Sequence, residues 1–302
     1  MPRIAYLGPE GTFTEAALLK MAAAEMVPLT EFEPFAAGSP PAALEMVRAG
    51  DADYACVPIE NSIEGSVLPT LDSLAAGSPL QVFAEFTLDI AFTIAARSDV
   101  AEPASIAAYP VARAQVARWV AKNLPKATFQ PADSNAAAAV DVAEGRADAA
   151  VTTELATKRY GLTALATGVV DEPNARTRFV LAGQPGPPPD RTGADRTSVV
   201  LRLENVPGAL VSAMTEFAIR DIDLTRIESR PTRIELGTYI FFLDSVGHID
   251  DVAVAEALKA LHRRCVDVRY LGSWPTGATG GAAPPRLDEA SRWLTQLREG
   301  KS

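Results

Sequence analysis

One stretch of this chain is written twice, and the repeat restricts the fold more than anything else in it. Ser39-Pro-Pro-Ala-Ala-Leu-Glu-Met-Val-Arg-Ala-Gly50 runs into Asp51-Ala-Asp-Tyr-Ala-Cys-Val57, and Ser134-Asn-Ala-Ala-Ala-Ala-Val-Asp-Val-Ala-Glu-Gly145 runs into Arg146-Ala-Asp-Ala-Ala-Val151. The serines, the glycines and the Ala-Asp pairs are each 95 residues apart, and both copies follow a Phe-x-Pro. A serine at this place can accept from the first free N–H groups of a helix. Pro40 suits a first helical turn. Gly50 and Gly145 can take the left-handed conformation that ends one. Each copy therefore reads as helix, glycine stop, short apolar strand. Further upstream in each half, Ile4–Leu7 leads into a helix near 12–24, and Ser105–Tyr109 into one near 111–123. Strands alternating with helices predict an α/β fold with mostly parallel sheets. Two such units in tandem predict two lobes with a cleft between them.

The chain has 302 residues, too many for one small core, so two or three packed units are expected. Its net charge of −10 argues against a nucleic-acid or anionic-membrane partner, both of which need a positive footprint. No window of about twenty residues is free of charges, Pro and Gly, so no membrane span is expected. The two cysteines, Cys56 and Cys265, lie in apolar contexts with neither metal spacing nor a disulfide framework. Together with an N-terminus that opens on a strand rather than a leader, this points to a cytoplasmic protein.

Gly183 to Ala194 is a Pro/Gly-rich linker. Beyond it, strands at Thr197–Leu203, Leu224–Arg230, Tyr239–Leu243 and Val266–Leu271 frame helices at Pro207–Arg220 and Asp251–Arg264. That order is β-α-β-β-α-β, the ferredoxin-like arrangement. The tail from Thr276 is Gly/Pro-rich and flexible by composition. Leu287, Ala290, Trp293, Leu294 and Leu297 could then form one face of a short final helix.

Three polar segments stand out in the first part: Gly8-Pro-Glu-Gly-Thr-Phe-Thr-Glu-Ala16, Val57-Pro-Ile-Glu-Asn-Ser-Ile-Glu-Gly-Ser66 and Asn174-Ala-Arg-Thr-Arg-Phe179. The last part carries Gly208-Ala-Leu-Val211 and Glu228-Ser-Arg-Pro231. In this order the motifs resemble the prephenate dehydratase family with its C-terminal ACT regulatory domain. The resemblance spans roughly residues 1 to 275. It implies a periplasmic-binding-protein-like catalytic domain over 1–182, whose second lobe covers about 82–168. A linker at 183–196, a ferredoxin-like ACT domain at 197–275 and a tail would follow. It implies conversion of prephenate to phenylpyruvate with no cofactor and no metal, and control by L-phenylalanine. The assembly would be a homodimer or homotetramer joined through ACT domains.

The reaction requires a hydroxide to leave and a carboxylate to depart as CO₂ from a held substrate. The two histidines, His248 and His262, both fall in the predicted ACT domain, so a Ser-His or Cys-His nucleophile in the cleft is not expected. No dinucleotide-binding or Walker loop is present. Thr177 is the essential residue by resemblance, as a hydrogen-bond donor to the leaving hydroxyl. Phe179 would pack against the ring. Arg178 is either the cation for a carboxylate or part of a structural ion pair. Glu60, Asn61 and Ser62 end a strand, where open sheets bind ligands. Thr12 and Thr14 lie at a helix mouth that favours anions or needs an N-cap. Gln115 matches the last position of the family's His-Pro-Gln-x-x-x-Gln. Tyr109 and Val111 replace the His and the first Gln, which removes the expectation of a direct role there. Ser134 is both a candidate ligand contact and the helix cap above.

For regulation, Asn205, Pro207, Gly208, Ala209, Leu210 and Val211 form a strand-to-helix turn at which Gly208 lets a ligand approach the backbone. The resemblance pairs this turn with Glu228, Ser229, Arg230 and Pro231 of a second subunit around phenylalanine. Two other readings stay open: an arogenate dehydratase, and a non-catalytic bilobed amino-acid sensor.

Overall fold

The computed structural model describes residues 1–26, 31–276 and 288–301, with the backbone alone at 288–291. The chain divides into two compact units, residues 1–73 with 86–182, and residues 74–85 with 183–302.

The chain opens with β1 (Arg3–Leu7), α1 (Phe13–Ala23), β2 (Glu33–Ala37), α2 (Pro40–Ala49), β3 (Tyr54–Asn61), β4 (Gly65–Ser66), α3 (Leu68–Ala75) and β5 (Gln81–Asp89), with the end of α3 and the first half of β5 counted in the second unit. A second group follows: β6 (Phe92–Ala96), β7 (Ser105–Ala108), α4 (Pro110–Asn123), β8 (Thr128–Pro131), α5 (Asn135–Ala143), β9 (Ala149–Thr152), α6 (Glu154–Arg159) and β10 (Thr163–Val169). The chain then returns as β11 (Arg176–Gly183). One sheet has the order β2-β1-β3-β11-β5, with β4 on β3, and the other the order β10-β6-β9-β7-β8. β1 runs parallel to β2 and β3, and β7 parallel to β8 and β9. β6 and β10 run antiparallel, so the second sheet is mixed rather than mostly parallel. Of the five strands β6 alone is reversed, and it follows directly on the crossing between sheets, where no helix intervenes to restore direction. The crossing itself falls at residues 90–91, because β5 stays in the first sheet to Asp89.

The repeated sequence folds alike in both places. Ser39 caps α2 by accepting from the Ala42 N–H, and Ser134 caps α5 by accepting from the Ala137 N–H. Gly50 and Gly145 follow with φ of 79° and 77°. Around the first sheet Ile4, Tyr6, Leu18, Leu44 and Val57 are buried. Each such side chain removed from water contributes roughly 1.5–3 kcal/mol. In the second lobe the core is alanine-rich (Ala107, Ala138, Ala147, Ala150), which brings α5 close to its strands.

In the second unit β12 (Asp195–Arg202), α7 (Ala209–Ala218), β13 (Leu224–Pro231), β14 (Tyr239–Val246), α8 (Val252–Arg264) and β15 (Asp267–Pro275) build an antiparallel sheet of order β13-β14-β12-β15. Val199, Leu201, Phe217, Leu243, Val254 and Leu261 fill the layer between sheet and helices. β15 runs past the predicted end at Leu271, through Gly272 to Trp274. A side chain at Gly272 would strike the Val82 carbonyl, which explains a glycine inside a strand. Trp274 is buried and donates its indole N–H to Glu85 Oε2 at 2.9 Å. A last helix, α9 (Asp288–Arg298), exposes Trp293, Leu294 and Leu297. The Gly/Pro-rich stretch 277–287, the Leu287 position and the Ala290 side chain lie outside the described residues.

Candidate active site

β3 and β11 are neighbours at the centre of the first sheet. Side chains alternate along a strand, so Thr177 and Phe179 share one face and Arg178 takes the other. On the Thr177 face, the Asn61 Nδ2 donates to Thr177 Oγ1 at 2.9 Å. The Asn61 Oδ1 is held by the N–H groups of Ile63 at 2.8 Å and Glu64 at 3.1 Å. Those two donors fix which way the amide points, so the Thr177 oxygen accepts from Asn61. Its own O–H proton has no protein acceptor among the described residues.

Both residues line a cavity of about 1260 Å³ between the two sheets, roomier than the typical ~300–1,000 Å³ of a small-molecule site. Thr12, Thr14, Ser39 and Phe179 line it from one lobe, and Tyr109, Val111, Gln115, Ser134 and Asn135 from the other. Phe13 and Phe92, both in the wall, meet edge to face with ring centres 5.5 Å apart. No Lys, Arg or His is among the lining residues, and Glu64 and Asp133 are acidic. Positive potential is supplied instead by helix ends. The first turns of α1, α4 and α5 carry the N–H groups of Phe13, Thr14, Val111, Ala112, Asn135 and Ala136, which have no acceptor within their helices. Each helix adds roughly half a positive charge at that end. α2 also starts at the cavity, but Pro40 and Pro41 leave it no N–H to offer there.

The side chains of Thr12 and Ser134 are spent on capping. Thr12 Oγ1 accepts from the Glu15 N–H at 3.4 Å and donates to the Leu7 carbonyl at 3.0 Å, and Ser134 Oγ accepts from the Ala137 N–H at 2.9 Å. Gln115 is 6% exposed, and its amide oxygen and that of Asn135 are buried without a hydrogen-bond partner among the described residues. A buried orphan acceptor costs about 1–3 kcal/mol, so these two mark places where a polar ligand is rewarded. Asn135 was not singled out from sequence. The signal was its position one residue beyond a capping serine, at the first turn of α5.

Three expected site residues face elsewhere. Arg178, 7% exposed, pairs with Glu60 at 2.9 Å, and neither lines the cavity. Ser62 is also outside it: its hydroxyl donates to the Asn174 carbonyl at 3.2 Å and accepts from the Arg176 N–H at 2.8 Å. Tyr109 and Val111, for which no direct role was expected, do line the wall. Beneath α1, Glu15 accepts from Arg159 of α6 at 2.7 and 3.0 Å and from the Gly11 N–H. Burial and the Glu15 and Glu10 carboxylates push the nearby Tyr6 phenol up to about 12.

In the second unit a smaller cavity of about 240 Å³ is lined by Asn205, Gly208, Ala209, Leu210 and Val211, together with Gly237, Thr238 and Tyr239. Gly208 has φ of 82° at the mouth of α7. Pro207 is not among the lining residues, and Glu228 to Pro231 lie on β13, outside this single-chain cavity. The Gly237–Tyr239 wall was not anticipated, because it comes from the turn before β14, whose charged residues Arg233 and Glu235 are not among the lining residues.

A two-lobed, periplasmic-binding-protein-like α/β unit with a dipole-lined cleft, joined to a ferredoxin-like regulatory unit, defines a class of small-molecule enzyme. A family model described as prephenate dehydratase matches residues 4–186, and one described as ACT domain matches residues 197–263. A prephenate dehydratase of Mycobacterium sp. (strain JLS) is 71% identical, with 99% of this chain and 97% of that one covered. The crystal structure of prephenate dehydratase in complex with L-Phe from Arthrobacter aurescens is 40% identical, with a TM-score of 0.88 over 98% of this chain and 99% of that one. A structure described as GqqA, a novel type of quorum quenching acylases, is 26% identical, with a TM-score of 0.80 over 91% and 98% of the two chains. The chain belongs to the prephenate dehydratase family, lyases that couple dehydration to decarboxylation.

Proposed function

We propose that the cleft holds prephenate so that the Thr177 hydroxyl donates to the departing ring hydroxyl. The observation that carries this reading is the Asn61–Thr177 hydrogen bond at 2.9 Å, with the Asn61 oxygen already committed to two backbone N–H groups. The threonine proton is thereby left for the cavity. As the C–O bond breaks, the electron pair of the C–carboxylate bond enters the ring, CO₂ departs, and the ring becomes aromatic. The leaving hydroxide is stabilised by the Thr177 O–H as it forms and becomes water by taking up one proton from solvent. The helix N-termini hold the pyruvyl carboxylate, Gln115 and Asn135 supply amides to the remaining polar groups, and Phe179 packs beside the ring. Glu60 and Arg178 support the strand from behind, and Ser62 supports the loop. Phenylalanine binds at the Asn205–Val211 turn of one subunit against Glu228–Pro231 of another, and favours a less active state of a homo-oligomer joined through its ACT domains.

The test is phenylpyruvate formation from prephenate by purified protein, with arogenate, Thr177→Val and added phenylalanine as parallel arms. Turnover of prephenate, lost in Thr177→Val and suppressed by phenylalanine, is expected. Preference for arogenate would move the substrate to its amino analogue. Turnover of neither would reduce the chain to a binding protein.

A further inference from the structure

Segment 171–176 joins the two lobes immediately before Thr177, and both of its ends are tied. At one end the Asp171 N–H donates to the Gln115 carbonyl at 2.7 Å. The Asp171 carboxylate accepts from the backbone N–H groups of Arg118 at 2.7 Å and Trp119 at 3.0 Å. The Arg118 guanidinium closes the tie by donating to the Asp171 carbonyl at 2.6 Å and to Glu172 at 2.6 Å. The Asp171 side chain is 7% exposed. The turn of α4 that carries Gln115 is therefore held to one aspartate.

At the other end the anchor is Ser62. Its N–H donates to the Arg176 carbonyl at 2.8 Å, its hydroxyl accepts from the Arg176 N–H at 2.8 Å, and the same hydroxyl donates to the Asn174 carbonyl at 3.2 Å. Ser62 follows directly on Asn61, the residue that fixes the Thr177 hydroxyl. Asn174 itself takes φ of 79°, a left-handed backbone that asparagine adopts more readily than other residues with a side chain.

We infer that Asp171 and Ser62 are positioning residues: the two anchors of a strap that sets the span across the cleft between Gln115 on α4 and Thr177 on β11. Neither touches the cavity. Each acts through a residue that does, so losing an anchor changes the alignment of the reacting groups more than the hold on substrate. Misplacement by about 1 Å can cost on the order of 100-fold in rate. The inference rests on the dehydratase reading only for its kinetic readout.

The experiment uses the full chain with Asp171→Asn, Ser62→Ala, the double variant and Asp148→Asn. Asp148 is the control. It too binds backbone N–H groups, those of Ala104 and Ser105 at 3.0 Å, but away from the strap. In each strap variant kcat should fall about 10- to 100-fold with KM within about 3-fold, and the double variant should lose less than the product of the two. Asp148→Asn should lower Tm and leave kcat within about 2-fold. The second readout needs no activity: hydrogen exchange in Asp171→Asn should quicken at residues 62–64 and 174–178 as well as in α4. Wild-type protein inert toward prephenate would sink the dehydratase reading and leave this second readout to decide. Strap variants with kcat within 2-fold of wild type, or faster exchange confined to α4, would overturn the inference. The Asn and Ala changes in different lobes guard against one variant failing to fold.

Discussion

Replacing Thr177 by valine keeps the shape of the side chain and removes one hydroxyl. Asn61 then loses its acceptor, yet the Asn61 oxygen keeps its two backbone donors, so the loop stays in place. Activity should fall by about 100- to 1,000-fold, the scale for losing one directed donor to a developing oxyanion. Serine, which restores the O–H without the methyl group, should recover part of that loss, and a Thr177→Ser variant no better than valine would remove the hydroxyl from the mechanism. Glu60→Gln is the opposite case. It weakens the pairing of Arg178, buried on the far side of the strand, so its effect should show in melting, at about 1–2 kcal/mol for a half-exposed pair. A thermal melt that is unchanged while kcat collapses would return Glu60 to the catalytic set. Residue by residue, the sequence singled out Thr177, Asn61 and Gln115 as candidates because they lie in recognisable segments, and the structure brings all three to one cavity. It could not disclose Ser62 as a clip, since the partner residues lie more than a hundred positions away and no periodicity links them. Arg178 was readable only as far as two alternatives, and the structure pairs it with Glu60 on the strand face opposite Thr177, outside the cavity lining.

At the scale of elements, the proposed substrate cavity has no cationic side chain in its lining. Glu64 and Asp133 therefore work against a dianionic substrate, held back by solvent at the rim. Glu64→Gln with Asp133→Asn should lower KM for prephenate about two- to five-fold at low salt, and the gain should fade as ionic strength rises. A KM unmoved at low salt would argue that neither acid feels the bound substrate. Asp148 offers a stability test in the second lobe. The Ala104 N–H, the Ser105 hydroxyl and the Ser105 N–H hold its carboxyl below the usual aspartate range. A folded pKa below the unfolded value gives stability that is complete above about pH 4 and lost as pH falls through the folded value. The Tm difference between wild type and Asp148→Asn should thus be full at pH 7 and shrink below about pH 4, whereas a constant difference would show that charge plays no part. The helices of both copies of the repeat were legible from Ser, Pro and Gly alone, because capping is local chemistry. The direction of β6 was not, because it follows from where the chain changes sheets, which leaves no mark on neighbouring residues.

For the molecule as a whole, two units matched by two family models invite the question of how a ligand of one alters the other. The order of the ferredoxin-like unit was readable from alternating apolar strands and two amphipathic helices. The extension of β15 through Gly272 was not, because a glycine in a strand signals an end unless the crowding that demands it is known. Gly208 is the sharpest probe of regulation. Its φ of 82° is left-handed, and a Cβ there would meet nothing within 4 Å. Alanine is thus admitted by the surroundings and opposed by the backbone, at roughly 1–2 kcal/mol. Relief of that strain would rotate the turn that lines the small cavity, so Gly208→Ala should bind phenylalanine more weakly by about tenfold or more. Binding to the folded state alone stabilises by RT ln(1 + [L]/Kd), about 2.7 kcal/mol at a hundred times Kd. At a phenylalanine concentration that saturates wild type, the rise in Tm should therefore be clearly smaller in the variant. Inhibition, normalised to each protein's own turnover without phenylalanine, should shift to higher concentration by about the same factor, because it follows occupancy of the effector site. A variant whose Tm rise and inhibition both match wild type would place the effector away from this turn. A smaller Tm rise with unchanged inhibition would separate phenylalanine binding here from control of the cleft.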